Sequence, residues 1–251
     1  KYVKNIPALA EKLVEHFCPG PLTLLLPKKD IIPDIVTAGL QNAAVRFPNH
    51  PTALALLRKL SFPLAAPSAN PFGYISPTSA EDVKRILSDK IDYILDGGIC
   101  QKGIESTIIG FQNNQPVLYR HGSVSIDEIE SVAGKVIIAA KNETNPDAPG
   151  MLSKHYAPHT KTFLTNDVNK LINQFSEKKI GLLLFQDNIA DTTVLHREIL
   201  SPSGDPEEAA SNLYAALHRL DKCNLDVIIA ERFPDKGLGK TINDRLERAS
   251  K

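Results

Sequence analysis

The chain lacks tryptophan altogether and carries one methionine and three cysteines in 251 residues. Cys18, Cys100 and Cys223 are far apart, odd in number and without a Cys-x-x-Cys pair. That excludes a disulfide framework and predicts free, buried thiols in a reducing cytosol. His155 and His159 have a metal-like spacing, but Pro158 interrupts the segment and no cysteine is near, so no zinc site is expected. No apolar run approaches the roughly 20 residues needed to cross a bilayer. No basic stretch followed by an apolar one opens the chain as a signal peptide would.

Net charge is missing too. The 29 basic residues cancel the 29 acidic ones. A protein that grips long nucleic acid by its phosphates shows a basic excess, so neutrality turns the expectation toward a small ligand. The chain begins at Lys1, its one methionine is Met151, and a helical pattern is under way by Ile6. A chain that lacks part of its first domain is expected from this.

The most informative stretch that is present runs from Ala66 to Thr78, Ala-Pro-Ser-Ala-Asn-Pro-Phe-Gly-Tyr-Ile-Ser-Pro-Thr. Prolines stiffen it, Gly73 frees it once, and Ser68, Asn70, Ser76 and Thr78 offer donors and acceptors. Such a loop suits recognition of something small and hydrogen-bonding.

Around it, Ile6 to Phe17 reads as a helix and Leu22 to Leu26 as a buried strand. Ala43 to Phe47 reads as a strand holding Arg46, and Pro51 to Leu60 as a helix with proline in its first turn. Phe62 to Ala66 and Tyr93 to Leu95 read as further strands. Thr78 with Glu81, and Ser125 with Glu128, read as capping boxes. Asn113-Asn114 joins strands Thr107 to Phe111 and Val117 to Arg120 in a hairpin. From Lys141 to Thr160 no period survives, which marks a linker. Beyond it helices (Asp167 to Lys178, Pro206 to Lys222, Thr241 to Ala249) alternate with apolar strands (Ile180 to Phe185, Leu225 to Ala230), the signature of a parallel α/β sheet.

Gly237-Leu238-Gly239-Lys240-Thr241 tempts a phosphate-loop reading, but the position that needs the first glycine is Pro234. A glycine-rich turn feeding a helix is the better reading. Arg46 and Arg120, each in an apolar strand, face either solvent or a bound anion. Ser106 and Thr107, beside a glycine-rich turn, either cap that turn or bind an anion. No Ser/His/Asp triad or carboxylate pair is evident. Ser, Thr, Asn and Arg without a base suit an enzyme that positions charged substrates, as in nucleotidyl transfer.

Taken together, Phe17-Cys18-Pro19-Gly20-Pro21-Leu22-Thr23, Val45-Arg46-Phe47-Pro48, Ala66-Pro67-Ser68-Ala69-Asn70, Ser76-Pro77-Thr78, Asp96-Gly97-Gly98, Gly103-Ile104-Glu105-Ser106-Thr107 and Arg120-His121-Gly122 resemble the YrdC-like domain of threonylcarbamoyl-AMP synthases. Pro149-Gly150-Met151 with His155-Tyr156-Ala157-Pro158 resembles that family's interdomain segment. Gly237-Leu238-Gly239 with Asn243-Asp244-Arg245-Leu246 resembles the C-terminal domain of its two-domain members. The resemblance implies an α/β fold: a YrdC-like twisted mixed sheet with helices over residues 1–134, a linker or lid over 135–160, and a smaller Rossmann-like parallel domain over 161–251.

It also implies a nucleotidyltransferase, soluble and cytoplasmic. Such an enzyme makes L-threonylcarbamoyladenylate and pyrophosphate from L-threonine, bicarbonate and ATP with magnesium. The product passes to a tRNA threonylcarbamoyl transferase, and direct tRNA binding is not expected. By this resemblance Arg46, Ala66 and Ser106 bind threonine, and Asn42, Ser68, Asn70, Ser76, Arg120 and Tyr156 bind ATP. No residue is assigned as a catalytic acid or base. The family's upstream Lys-x-Arg motif would precede Lys1, so weak or absent activity of this chain alone is expected. Leu152 and Ser153 replace a Lys and a Tyr frequent in relatives, and His121 a frequent proline. The alternatives are an RNA-binding module, a carbamoyltransferase domain of hydrogenase maturation, and an inactive fragment. Few aromatics and zero net charge oppose the first, and the C-terminal match opposes the second.

Overall fold

In the computed structural model, which describes residues 1–140, 148, 155–190 and 194–251, the chain forms two compact units. One comprises Lys1–Pro67 and Glu105–Leu152, the other Ser68–Ile104 and Ser153–Lys251. Residues 68–104, which the sequence reading assigns to the first domain, thus cluster with the C-terminal part. The Pro149-Gly150-Met151 motif, Leu152 and Ser153 lie outside the described residues.

The first unit is built on strands β1 (Leu22–Pro27), β2 (Asn42–Arg46), β3 (Thr107–Gln112), β4 (Gln115–Arg120) and β5 (Ile137–Ile138). Their order is β2-β1-β3-β4-β5. β1 pairs β2 antiparallel and β3 parallel, β3 pairs β4 antiparallel, and β4 pairs β5 parallel, so the sheet is mixed. Helices α1 (Ala8–Phe17) and, later in the chain, α5 (Ile126–Ala133) cover one face. There Ala10, Leu13 and Ile129 pack on Leu22, Leu24, Leu26, Ile109 and Leu118, alternate residues that share one side of the pleat. The hairpin turns at Asn113 and Asn114, with φ of 48° and 61°. Two successive left-handed residues make the turn that fits the twist of paired strands. Ser125 caps α5 with a complete capping box. The four-residue helix α2 (Asp34–Thr37) was not foreseen, and α3 (Pro51–Lys59) follows the sequence reading.

The second unit holds α4 (Ala80–Leu87) and a four-stranded sheet of β6 (Lys161–Thr165), β7 (Ile180–Leu184), β8 (His196–Ile199) and β9 (Val227–Glu231). The order is β6-β9-β7-β8 and every pairing is parallel. Helix α6 (Val168–Gln174) packs on one face through Val168 and Ile172. Helices α7 (Pro206–Asp221) and α8 (Leu238–Ala249) pack on the other, against Leu183, Ile228 and Ala230. The mixed sheet and the parallel sheet bear out the expected fold class. β6 and β8 escaped the sequence reading, because Lys161, Thr162 and Thr165 in one and His196, Arg197 and Glu198 in the other mask the apolar run.

Three local readings are corrected. Neither Phe62 to Ala66 nor Tyr93 to Leu95 is a strand, and Phe62 (57% exposed) and Tyr93 (93%) face solvent. An extended apolar run becomes a strand only where a neighbour completes its ladder, and among the described residues none does. The cap of α4 is Ser79, not Thr78. Its Oγ accepts from the Asp82 N–H and donates to the Asp82 carboxylate, while Thr78 is buried. The cysteines form no disulfide, as expected, but they are not buried. Cys18 and Cys223 are half-exposed and Cys100 is exposed.

Candidate functional site

The register of the first sheet brings several of the sequence-selected residues to one end of it. Thr23, near the start of β1, faces Arg46 at the end of β2. Thr23 also aligns with Ile108, near the start of β3, and Ile108 aligns with Arg120 at the end of β4. Because β1 and β3 begin where β2 and β4 finish, Thr23, Arg46, Ser106 and Arg120 share that end.

Their contacts are specific. Thr23 Oγ1 and Ser106 Oγ lie 2.7 Å apart. The Arg120 guanidinium donates to the Ser106 carbonyl through Nε (3.1 Å) and Nη2 (2.9 Å), and Nη2 also reaches Ser106 Oγ at 3.1 Å. Ser106 and Thr23 are almost fully buried, at 3% and 6% exposure. Beneath them Thr107 Oγ1 donates to the Val124 carbonyl at 2.6 Å and accepts from the Val124 N–H at 3.0 Å. The turn can approach this closely because residue 122 is glycine. A Cβ there would stand 2.2 Å from Thr107 N and 2.6 Å from the Glu105 carbonyl oxygen. Arg46 differs from Arg120. It is exposed, and among the described residues no carboxylate pairs with it. Thr23 was not singled out in the sequence. Its place at the end of the Pro19-Gly20-Pro21-Leu22-Thr23 motif was the available signal.

The other threonine and nucleotide candidates of this unit stand apart. Asn42 opens β2 opposite Pro27, four residues from Arg46, which at about 3.4 Å per residue is ~14 Å. It lines a shallow cleft with Asn5, Pro27 and Tyr119. Ala66 is exposed at the irregular start of the Ser/Pro loop.

From Ser68 onward the Ser/Pro loop belongs to the second unit. Asn70 is locked by its own loop, its amide donating to the carbonyls of Pro71 (2.9 Å) and Tyr74 (3.1 Å). Those two carbonyls fix which way the carboxamide points. Its Oδ1 is shielded from solvent and without a partner, so it is an acceptor held in readiness. Ser68 is exposed and Ser76 buried at 7%. The described end of the linker docks on this loop: Ala157 N–H donates to the Gly73 carbonyl at 2.8 Å, in a bridge with Tyr74.

Tyr156 is 1% exposed, with φ of 64°. Its ring stacks on Tyr214 at 5.6 Å, and the Arg245 guanidinium lies 4.8 Å from its centroid. In this packing it is a core residue, and a ring contact with a nucleotide would require it to leave. The position anchors the segment that reaches Gly73.

The glycine-rich turn before α8 is structural. A Cβ on Gly239 would sit 2.0 Å from the Pro234 carbonyl oxygen. Asn243 clasps the Phe233 backbone, accepting from its N–H (2.9 Å) and donating to its carbonyl (3.0 Å).

Comparison with known proteins finds matches over nearly the whole chain. A family model described as telomere recombination (Sua5, YciO and YrdC) matches residues 1–122. A model of the threonylcarbamoyl-AMP synthase C-terminal domain matches residues 124–251. The chain is 40% identical over 261 residues to a threonylcarbamoyl-AMP synthase of Pyrococcus abyssi, covering 98% of this chain and 75% of that protein. It is 38% identical to one from Bacillus subtilis (97% and 73%) and 36% identical to one from Schizosaccharomyces pombe (98% and 67%). The crystal structure of P. abyssi Sua5 complexed with L-threonine superposes with a TM-score of 0.90 at 40% identity, over 99% of this chain and 76% of that one. With both of its parts matched and the fold in common, the chain belongs to the threonylcarbamoyl-AMP synthase family.

Proposed function

We propose that this chain binds L-threonine at the polar end of its first sheet and ATP on its Ser/Pro loop, and joins them through bicarbonate into threonylcarbamoyl-AMP. The observation that carries the reading is Arg46, an exposed cation without a carboxylate partner among the described residues, at the same sheet end as the Thr23–Ser106–Arg120 cluster. A guanidinium there takes the amino-acid carboxylate. The hydroxyls of Ser106 and Thr23, with the backbone at Ala66, take its polar groups. A relative of this fold is known in complex with L-threonine, which supports the ligand.

On the loop, Ser68, Asn70 and Ser76 line the nucleotide site. Asn70 Oδ1 suits an N–H donor such as a base amino group. Asn42 and Arg120 are further nucleotide contacts in this reading, and Tyr156 acts by anchoring the linker. The threonine amine attacks the carbon of bicarbonate, a C–O bond breaks, and the departing oxygen leaves as water carrying the amine proton, giving a carbamate. A carbamate oxygen then attacks the α-phosphorus of ATP, and pyrophosphate leaves with the electron pair of the broken P–O bond. These residues position anions and exclude water, and none serves as a base. Magnesium would accompany ATP and neutralise part of the phosphate charge. Among the described residues no three His, Cys, Asp or Glu side chains gather to hold it separately.

No helix of the structure is long and apolar enough to cross a membrane. A cytoplasmic enzyme that hands its product to a tRNA threonylcarbamoyl transferase, without itself gripping tRNA, completes the proposal. Calorimetry tests it. Arg46→Ala should weaken L-threonine by about 1.5–3 kcal/mol, the loss of a charged hydrogen bond, and leave ATP nearly unchanged. Equal losses for both ligands would refute the role of Arg46.

A further inference from the structure

Among the anchors that hold the Ser/Pro loop, two come from the last turns of α7. His218 Nε2 lies 3.2 Å from the Ser76 carbonyl oxygen, and His218 Nδ1 lies 3.3 Å from Arg85 Nη2. A carbonyl only accepts and a guanidinium only donates. The ring is therefore the neutral tautomer with its proton on Nε2, giving one bond to the loop and taking one from α4. Three residues on, Asp221 Oδ2 accepts from the Tyr74 hydroxyl at 2.8 Å, and Oδ1 accepts from the Thr160 N–H at 2.8 Å. The Tyr74 ring, between these two residues, stacks on His159 at 4.6 Å and meets His218 edge-on at 5.6 Å. His218 is 2% exposed. Further anchors are the Asn70 amide on the Tyr74 carbonyl, Ala157 on the Gly73 carbonyl and the Cys100 N–H on the Thr78 carbonyl.

We infer that His218 and Asp221 are positioning residues for ATP: from α7 they fix Ser76, Tyr74 and the adjoining linker residue Thr160, and so hold Asn70 and Ser76 in their binding geometry. This rests on the reading of the loop as the nucleotide site. It assigns a task to the C-terminal part of the chain, which supplies the rigid side of the nucleotide site. A side chain that grips a loop backbone and another that grips its one large ring leave the loop little freedom to lose on binding, which is how preorganisation raises affinity. The spacing of three residues puts both groups on one face of α7. The rest of the helix, through Leu213, Ala216, Leu217 and Leu220, is buried in the core of the unit, so the anchors cannot follow the loop if it moves.

The experiment is calorimetry of the full chain with MgATP and, separately, with L-threonine. His218→Ala and Asp221→Ala should each weaken ATP about tenfold while threonine stays within about twofold. His218→Gln keeps a donor of similar reach and should recover most of the ATP loss. Tyr74→Phe, which removes only the hydroxyl, should weaken ATP on its own and, combined with Asp221→Ala, fall short of the sum of the two single losses. Asn70→Ala and Ser76→Ala are measured beside them. If these two weaken ATP while His218→Ala and Tyr74→Phe do not, the positioning role is overturned and the loop keeps its ligand. Equal loss of ATP and threonine in the α7 variants overturns it as well, because that is general damage. If Asn70→Ala and Ser76→Ala leave ATP binding as it was, or the unsubstituted chain binds no ATP, the reading of the loop falls and the inference with it.

Discussion

Gly122 and Thr107 show how much of the threonine end is decided by single atoms. A methyl on Gly122 would press on the backbone of Ser106 and Thr107, which cannot rotate away as a side chain could. Gly122→Ala should therefore weaken L-threonine binding and lower the unfolding midpoint together, read by calorimetry and urea titration. Thr107→Val keeps the shape but strips the hydroxyl that both takes from and gives to Val124. Two buried backbone groups then lose their partner, at about 1–3 kcal/mol each. A urea midpoint unchanged in Thr107→Val would show that water replaces the hydroxyl there. Arg46, Ser106 and Arg120 were legible in the sequence because charged and hydroxyl side chains stood out in apolar strands. What the sequence left open was their environment. Arg120 donates to Ser106 and helps to orient it, whereas Arg46 is exposed with no carboxylate beside it, and only pairing register separates the two.

Elements were legible where local chemistry decides them. The Ser125–Glu128 box, the Asn113-Asn114 hairpin and the apolar strands β1, β7 and β9 each declare themselves within a few residues. Ser125→Ala should cost about 1 kcal/mol, as loss of an N-cap does, measured by thermal unfolding. Phe62 to Ala66 and Tyr93 to Leu95 misled because apolar runs describe a propensity, while a strand is a property of two chains side by side. The shift of the α4 cap from Thr78 to Ser79 has a similar cause. Both residues can cap, and the burial of Thr78 left Ser79 to do it. Helix α7 was read correctly over its length, but nothing along it distinguished His218 from any other histidine.

Taken as a whole, the second unit depends on keeping His218 neutral. Burial, the largest influence, pushes its pKa below the ordinary 6.5, and Arg85 and Lys222 push the same way. Asp82 and the Ser76 carbonyl pull it back without prevailing. The unfolded chain takes up a proton near 6.5 that the folded chain refuses, so the stabilising contribution of the neutral ring is lost as pH falls below that value. Denaturant midpoints between pH 7.5 and 5 should fall more steeply for the unsubstituted chain than for His218→Gln, and parallel curves would sink this account. Asp82 and Asp221 act in a lower window. Burial alone would raise both, but hydrogen bonds outweigh it, to Asp82 from Arg85 and Ser79 and to Asp221 from Thr160 and Tyr74. Their contribution is complete above the ordinary 3.8 and lost as pH falls through their lowered values.

By itself the sequence determined the parallel α/β class of its second half and which polar residues are out of place enough to have a task, while the mixed sheet of the first half was implied by the family resemblance. Periodicity, caps and turns are written in neighbouring residues, so they can be read there. Only the tertiary structure decided that residues 68–104 cluster with the C-terminal part, that Thr23 joins Ser106, and that α7 grips the Ser/Pro loop. Those contacts join residues 83 to 147 positions apart, and no local pattern encodes a partner at that distance.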